Sequence, residues 1–82
     1  MIQVSKQSAY FRVPDLSGSH DVKAVKQSVD GIPGVISVSI NAGTNKVAVD
    51  YDSTGTNCDE IREEIEKTGH LAQLLMNQDH TM

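Results

Sequence analysis

Val35-Ile36-Ser37-Val38-Ser39-Ile40-Asn41-Ala42-Gly43-Thr44-Asn45-Lys46-Val47-Ala48-Val49-Asp50-Tyr51 is the stretch that decides the fold. Residues 35–40 and 46–51 each alternate apolar with polar or small side chains, the period-two pattern of a half-buried strand. Between them, Asn41, Gly43 and Asn45 accept the positive φ values that a tight connection needs. The segment predicts a β-hairpin.

Helical signals flank the hairpin on both sides. Upstream, Val22, Val25, Val29 and Ile32 recur at three- and four-residue steps, with Ser19 as N-cap and Gly31, Pro33 and Gly34 as the stop. Downstream, Asn57 heads a second helix with Glu60 three residues on, Ile61 and Ile65 as its apolar stripe, and Thr68-Gly69 as its end. Ala9, Phe11 and Val13 form an opening strand closed by Pro14, and residues 71–75 a closing one. With right-handed crossovers, the order strand, helix, strand, strand, helix, strand predicts an α+β, ferredoxin-like βαββαβ sandwich: a four-stranded antiparallel sheet with both helices on one face. One domain over residues 8–76 is expected, with flexible ends at 1–7 and 77–82.

Composition narrows the function. The chain has 82 residues, enough for one modest core, and its seven Lys and Arg against eleven Asp and Glu give a net charge of −4. With no basic stripe interleaved with aromatics, nucleic acid is excluded as a partner. No apolar run reaches the length of a signal core or a membrane span, so no membrane insertion is expected. The single cysteine, Cys58, excludes an internal disulfide framework and fits a reducing, cytoplasmic setting. An enzyme is not expected: residues 15–20 lack the amide cradle and arginine of a phosphate site, and Ser17 or Ser19 near His20 has no orienting group.

Each element reverses direction, so three connections share one end of the domain: residues 15–20, the hairpin tip around Gly43, and Gly69-His70. Cys58 opens the second helix at the other end, too far from His20 to share a ligand.

Phe11-Arg12-Val13, the run from Leu16 through His20-Asp21-Val22 to Val25, Gly31-Ile32-Pro33-Gly34-Val35, Lys46-Val47-Ala48-Val49-Asp50-Tyr51 and Glu66-Lys67-Thr68-Gly69-His70 together resemble a heavy-metal-associated domain. This is the module of copper chaperones and of the N-terminal regions of metal-pumping P-type ATPases. The resemblance covers about residues 10–75. It implies a Met-Thr-Cys-x-x-Cys loop at the first helix, but Leu16 and Ser17 stand in place of the Met and Thr, Gly18 of the first cysteine and Asp21 of the second. Cu(I) selects thiolate and thioether donors, so the chaperone chemistry is not carried over to this loop.

The donors left at that end are His20, Asp21 and His70, a set that suits Zn(II), Ni(II), Co(II) or Cu(II) better than Cu(I). In the related chaperones the position of His70 lies beside the metal loop. A purely structural role competes at each residue: Asp21 in a first helical turn favoured by the helix dipole, His20 in solvent, His70 as a polar ring at a helix end. Cys58 is a lone thiol at a helix start, and Met76, His80 and Met82 are loosely spaced donors in a tail. Relatives of this kind dock through the first helix and its loop, which points to Ser17, Gly18, Ser19, Lys23 and Lys26 as a contact surface for a metal-transporting ATPase domain or another domain of the same fold. Two classes stay open: a metal-binding protein with an altered site, and an interaction module that has lost its metal.

Overall fold

In the computed structural model, which describes residues 6–16 and 18–79, the elements follow the order β1 (Lys6–Arg12), α1 (Gly18–Asp30), β2 (Val35–Asn41), β3 (Lys46–Asp52), α2 (Cys58–Lys67) and β4 (Gln73–Asp79). The sheet order is β2-β3-β1-β4 with every neighbour antiparallel. This is the expected ferredoxin-like arrangement.

The two periodicities meet in one core. Ala9, Phe11, Val47, Val49 and Tyr51 turn one face of the central strands inward, and Val25, Val29, Ile61 and Ile65 supply the helical stripes that cover them. On β2, unbroken alternation would put Ile36, Val38 and Ile40 on one side. The register instead shifts between Val35 and Ser37, which turns Ile36 out to solvent while Val35, Val38 and Ile40 pack against the core.

Helix α2 starts as its sequence predicts. Asn57 has extended backbone (φ −145°, ψ 169°), and its Oδ1 accepts the Glu60 N–H at 2.9 Å; the Glu60 carboxylate accepts the Thr56 hydroxyl at 3.0 Å. Gly69, at φ 94°, ends it by donating its N–H to the Glu66 carbonyl. Helix α1 differs from expectation: it begins at Gly18, which places Ser19 inside the first turn and not at the cap.

Two further boundaries move. The positive φ of the hairpin belongs to Asn45 (55°) and not to Gly43, whose N–H is held by Asn41 Oδ1 at 3.0 Å. The last strand is not residues 71–75 but Gln73–Asp79, and β1 starts at Lys6, so Gln7 faces Asp79 and Ala9 faces Asn77 within the sheet. The polar 77–79 stretch pairs with β1, and Tyr51, 1% exposed, adds its hydroxyl 2.7 Å from Asn77 Oδ1 and 2.8 Å from Gln7 Oε1. No helix among the described residues is long and apolar enough to cross a membrane.

Candidate metal loop and docking face

The end of the domain where β1 runs into α1 is assembled from three connections, as the topology requires. The Val13 N–H donates to the Asn45 carbonyl at 2.8 Å and Asn45 Nδ2 reaches the Pro14 carbonyl at 3.5 Å, tying the hairpin tip to the start of the loop. Leu16, only 7% exposed, anchors the middle of the loop in the core, and its N–H turns back to the Val13 carbonyl at 3.2 Å. The Leu71 N–H approaches Asp15 Oδ2 at 3.5 Å, bringing the chain after α2 onto the same loop. Asp15 is a joining residue that sequence reasoning missed, since no local pattern marks a carboxylate whose partner is 56 residues away.

Of the three proposed donors, two come together. Asp21 sits in the first turn of α1, and the turn at Gly69 lays His70 against it, with His70 Nε2 3.7 Å from Asp21 Oδ1 and the side chains 13% and 25% exposed. At that distance the contact is electrostatic and not a hydrogen bond, and it is an ion pair only when the imidazole is protonated. The other ring nitrogen, His70 Nδ1, is buried and has no hydrogen-bond partner among the described residues. His20 is exposed on the adjoining residue, and among the described residues no group of three or more His, Cys, Asp or Glu side chains is arranged to hold a metal ion.

Of the proposed contact surface, Gly18 lies at this end, and Lys23 and Lys26 follow along α1. Gly18 opens α1 at φ 77° and is exposed, and Lys23 and Lys26 project from exposed positions of the helix. Ser17 falls outside the described residues, as do His80 and Met82 of the tail. Cys58 is half-buried against the core at the start of α2, which follows β3; because β3 runs antiparallel to β1, that helix starts at the opposite end of the domain from the loop. The acidic side chains of α2 include Glu64, whose carboxyl the Lys67 ammonium at 2.9 Å holds below its ordinary range.

The heavy-metal-associated domain model matches residues 10–70 of the chain. The copper chaperone CopZ of Bacillus subtilis (strain 168) is 36% identical over 60 residues, 73% of this chain and 87% of that protein. Among solved structures, the copper chaperone of Enterococcus hirae in its apo form is 27% identical with a TM-score of 0.77, covering 82% of this chain and 98% of that one. The yeast copper transporter domain Ccc2a shares the fold at 24% identity and a TM-score of 0.80, over 85% of this chain and 96% of that one. The chain belongs to the heavy-metal-associated domain family.

Proposed function

We propose that this chain is a heavy-metal-associated domain that works by docking its α1 face on a partner domain and carries no Cu(I) on its α1 loop. The observation that carries the reading is the donor chemistry of that loop. Leu16-Ser17-Gly18-Ser19-His20-Asp21 offers no sulfur atom, and the one thiol of the chain, Cys58, stands at the far end of α2. Cu(I) is held by thiolate and thioether, so the cargo of the copper chaperones does not fit these residues. The side chains near this loop that remain suited to recognition are the exposed Lys23 and Lys26 on the body of α1, which give that helix a basic surface beside an acidic α2. A surface of two signs steers and orients encounter with a complementary domain.

The partner this reading favours is a metal-transporting ATPase domain or another domain of the same fold, since relatives of this chain include copper chaperones and a copper transporter domain. The test is a titration of isotope-labelled chain with the N-terminal heavy-metal-associated domain of a copper ATPase, in chelator and without metal. Saturable amide shifts on Gly18, Val22, Lys23 and Lys26, lost in Lys23→Glu/Lys26→Glu, support the reading. Shifts that need added Cu(I), or none on α1, oppose it.

A second reading has one observation in its favour: Asp21 and His70 stand 3.7 Å apart, and with the neighbouring His20 they offer carboxylate and imidazole donors to Zn(II), Ni(II), Co(II) or Cu(II). His70 Nδ1 weighs against it. A ligating histidine almost always donates its other ring N–H to a carbonyl, carboxylate or water that fixes its tautomer, and Nδ1 here is buried without a partner among the described residues. Histidine ring signals followed through a Zn(II) titration decide it, because a site shifts His20 and His70 together and saturates.

A further inference from the structure

The face of the sheet turned away from the helices carries a charge arrangement that the fold does not need. Cross-strand pairing sets Lys6 opposite Asp52, Ser8 opposite Asp50, Tyr10 opposite Ala48 and Arg12 opposite Lys46. Since Ala9, Phe11, Val47 and Val49 point into the core beneath the helices, these alternate residues share the uncovered face. Toward the start of β1 the charges are answered: Lys6 stands against Asp52, and the Asp50 carboxylate accepts the hydroxyls of Ser8 and Ser37. Toward its end Arg12 and Lys46, both exposed, stand directly opposite each other, and among the described residues neither makes an ion pair. Like charges directly opposed across a strand pair cost stability. In a chain of net charge −4, two cations held side by side without an anion mark a place for one.

Apolar side chains continue the basic pair. Lys46 joins Tyr10, Leu75, Met76 and Gln78 around a shallow recess of about 330 Å³, and Leu75 and Met76 expose about half of their surface there (47% and 52%). The register shift between Tyr10 and Phe11 leaves Leu75 without a direct partner on β1. Such a bulge re-aims a side chain and guards the strand edge against further pairing, so the surface on offer is the face of the sheet and not its edge. The Tyr10 hydroxyl, whose contact with Gln78 Oε1 is stretched to 3.5 Å, adds a donor to the rim.

We propose that this face binds an acidic segment of a partner protein, its carboxylates on Arg12 and Lys46 and an apolar side chain beside them in the recess of Tyr10, Leu75 and Met76. Charge selects the occupant: a guanidinium and an ammonium side by side recognise carboxylates, and their mutual repulsion is relieved when one arrives. Asp50 and Asp52, farther along the same face, turn away a nucleic-acid backbone, which needs cations along its length, and fix the direction in which an acidic segment lies. A small organic acid would stay mostly in water in so shallow a recess, whereas a chain segment lies across it. The helices occupy the other side of the sheet, so this contact is separate from docking through α1.

The experiment titrates the metal-free full chain with the peptide amide acetyl-Glu-Phe-Glu-Leu-Glu up to about 5 mM, which reaches weak association, with acetyl-Lys-Phe-Lys-Leu-Lys as the control. The proposal requires saturable amide shifts at Tyr10, Arg12, Lys46, Ala48 and Met76 with the Glu peptide alone. Arg12→Ala and Lys46→Ala each weaken binding about two- to fivefold, the worth of one exposed ion pair. Arg12→Glu/Lys46→Glu abolishes it and transfers binding to the Lys peptide, a gain that only a folded face can show. Lys46→Glu alone places a carboxylate opposite Arg12, weakens the Glu peptide and raises the melting temperature in low salt. Shifts confined to α1 around Lys23 and Lys26, an equal response to both peptides, no saturable response, binding undiminished in Arg12→Glu/Lys46→Glu, or a lowered melting temperature in Lys46→Glu would overturn the proposal.

Discussion

Asp21 and His70 face each other at 3.7 Å across the junction of α1 and the chain that follows α2, so a carboxylate and an imidazole meet beside a loop whose sequence holds no cysteine. Beside it, the Leu71 N–H reaches the Asp15 carboxylate at 3.5 Å. A double-mutant cycle with Asp21→Asn and His70→Gln is expected to return a coupling of about 0.2–1 kcal/mol, the range of a weak charge pair too long for a hydrogen bond. Denaturant midpoints measure it. Additive effects would mean that the two residues share a location and nothing more.

Tyr51 fastens β1 to β4. Its phenol has one proton, so it donates to either Gln7 Oε1 or Asn77 Oδ1, and the remaining contact needs an amide turned to present its nitrogen. Asn77 Nδ2 in turn donates to Gln7 Oε1 at 2.9 Å. Tyr51→Phe keeps the buried ring and removes the hydroxyl. A loss of about 1 kcal/mol is expected, because the amides it leaves are open enough to turn to water. Amide exchange at Asn77 and Gln78 should accelerate more than exchange at Val47 or Val49.

That fastening also shows where sequence and structure part. The helices and the hairpin were legible because burial imposes a period: Val25 and Val29, Ile61 and Ile65, and Val47, Val49 and Tyr51 are buried in register with their patterns. Asn77-Gln78-Asp79 has no such pattern, and its order comes from pairing with β1 and from Tyr51, partners remote in sequence. The candidate donors were legible as residue types at one end of the topology. Which of them touch depended on the φ of 94° at Gly69 and on where α1 begins, details set by the assembled loops.

Gly34 tests the opposite end of the domain. It holds φ 100°, and a Cβ there would stand 2.9 Å from the carbonyl carbon of Gly55, where the turn after α1 packs on the turn before α2. Its carbonyl also accepts the Asp52 N–H at 2.8 Å. Gly34→Ala combines a left-handed backbone with a backbone clash and is expected to cost about 2–3 kcal/mol. Thermal unfolding measures the loss; a wild-type melting temperature would show that the two turns separate freely.

The pH dependence of folding should carry a contribution from Asp52. The Thr54 N–H and then the Thr54 hydroxyl, both on Oδ1, hold its carboxyl below the ordinary range, with a small opposing effect of burial. A depressed folded-state pKa gives stability that is fully present above the unfolded value, about 3.9 for Asp, and that is lost as pH falls through the folded value. The difference in stability between wild type and Asp52→Asn should therefore shrink on acidification below about pH 4. Glu64, lowered by Lys67, acts in the same direction and is common to both proteins. A difference that grows in acid would reverse the assignment.

The most direct test of the account is a Cu(I) titration against a competing chelator, followed by amide signals of Gly18 to Val22, with Gly18→Cys/Asp21→Cys as the positive control. The pair of thiols restores soft donors at the head of α1, although cysteine at position 18 must tolerate a φ of 77°. The account predicts that the control takes up Cu(I) at the loop, whereas the wild-type loop signals stay still while the chelator keeps the metal. Saturable wild-type shifts from Gly18 to Asp21, at Cu(I) levels that leave Cys58 unchanged, would contradict it.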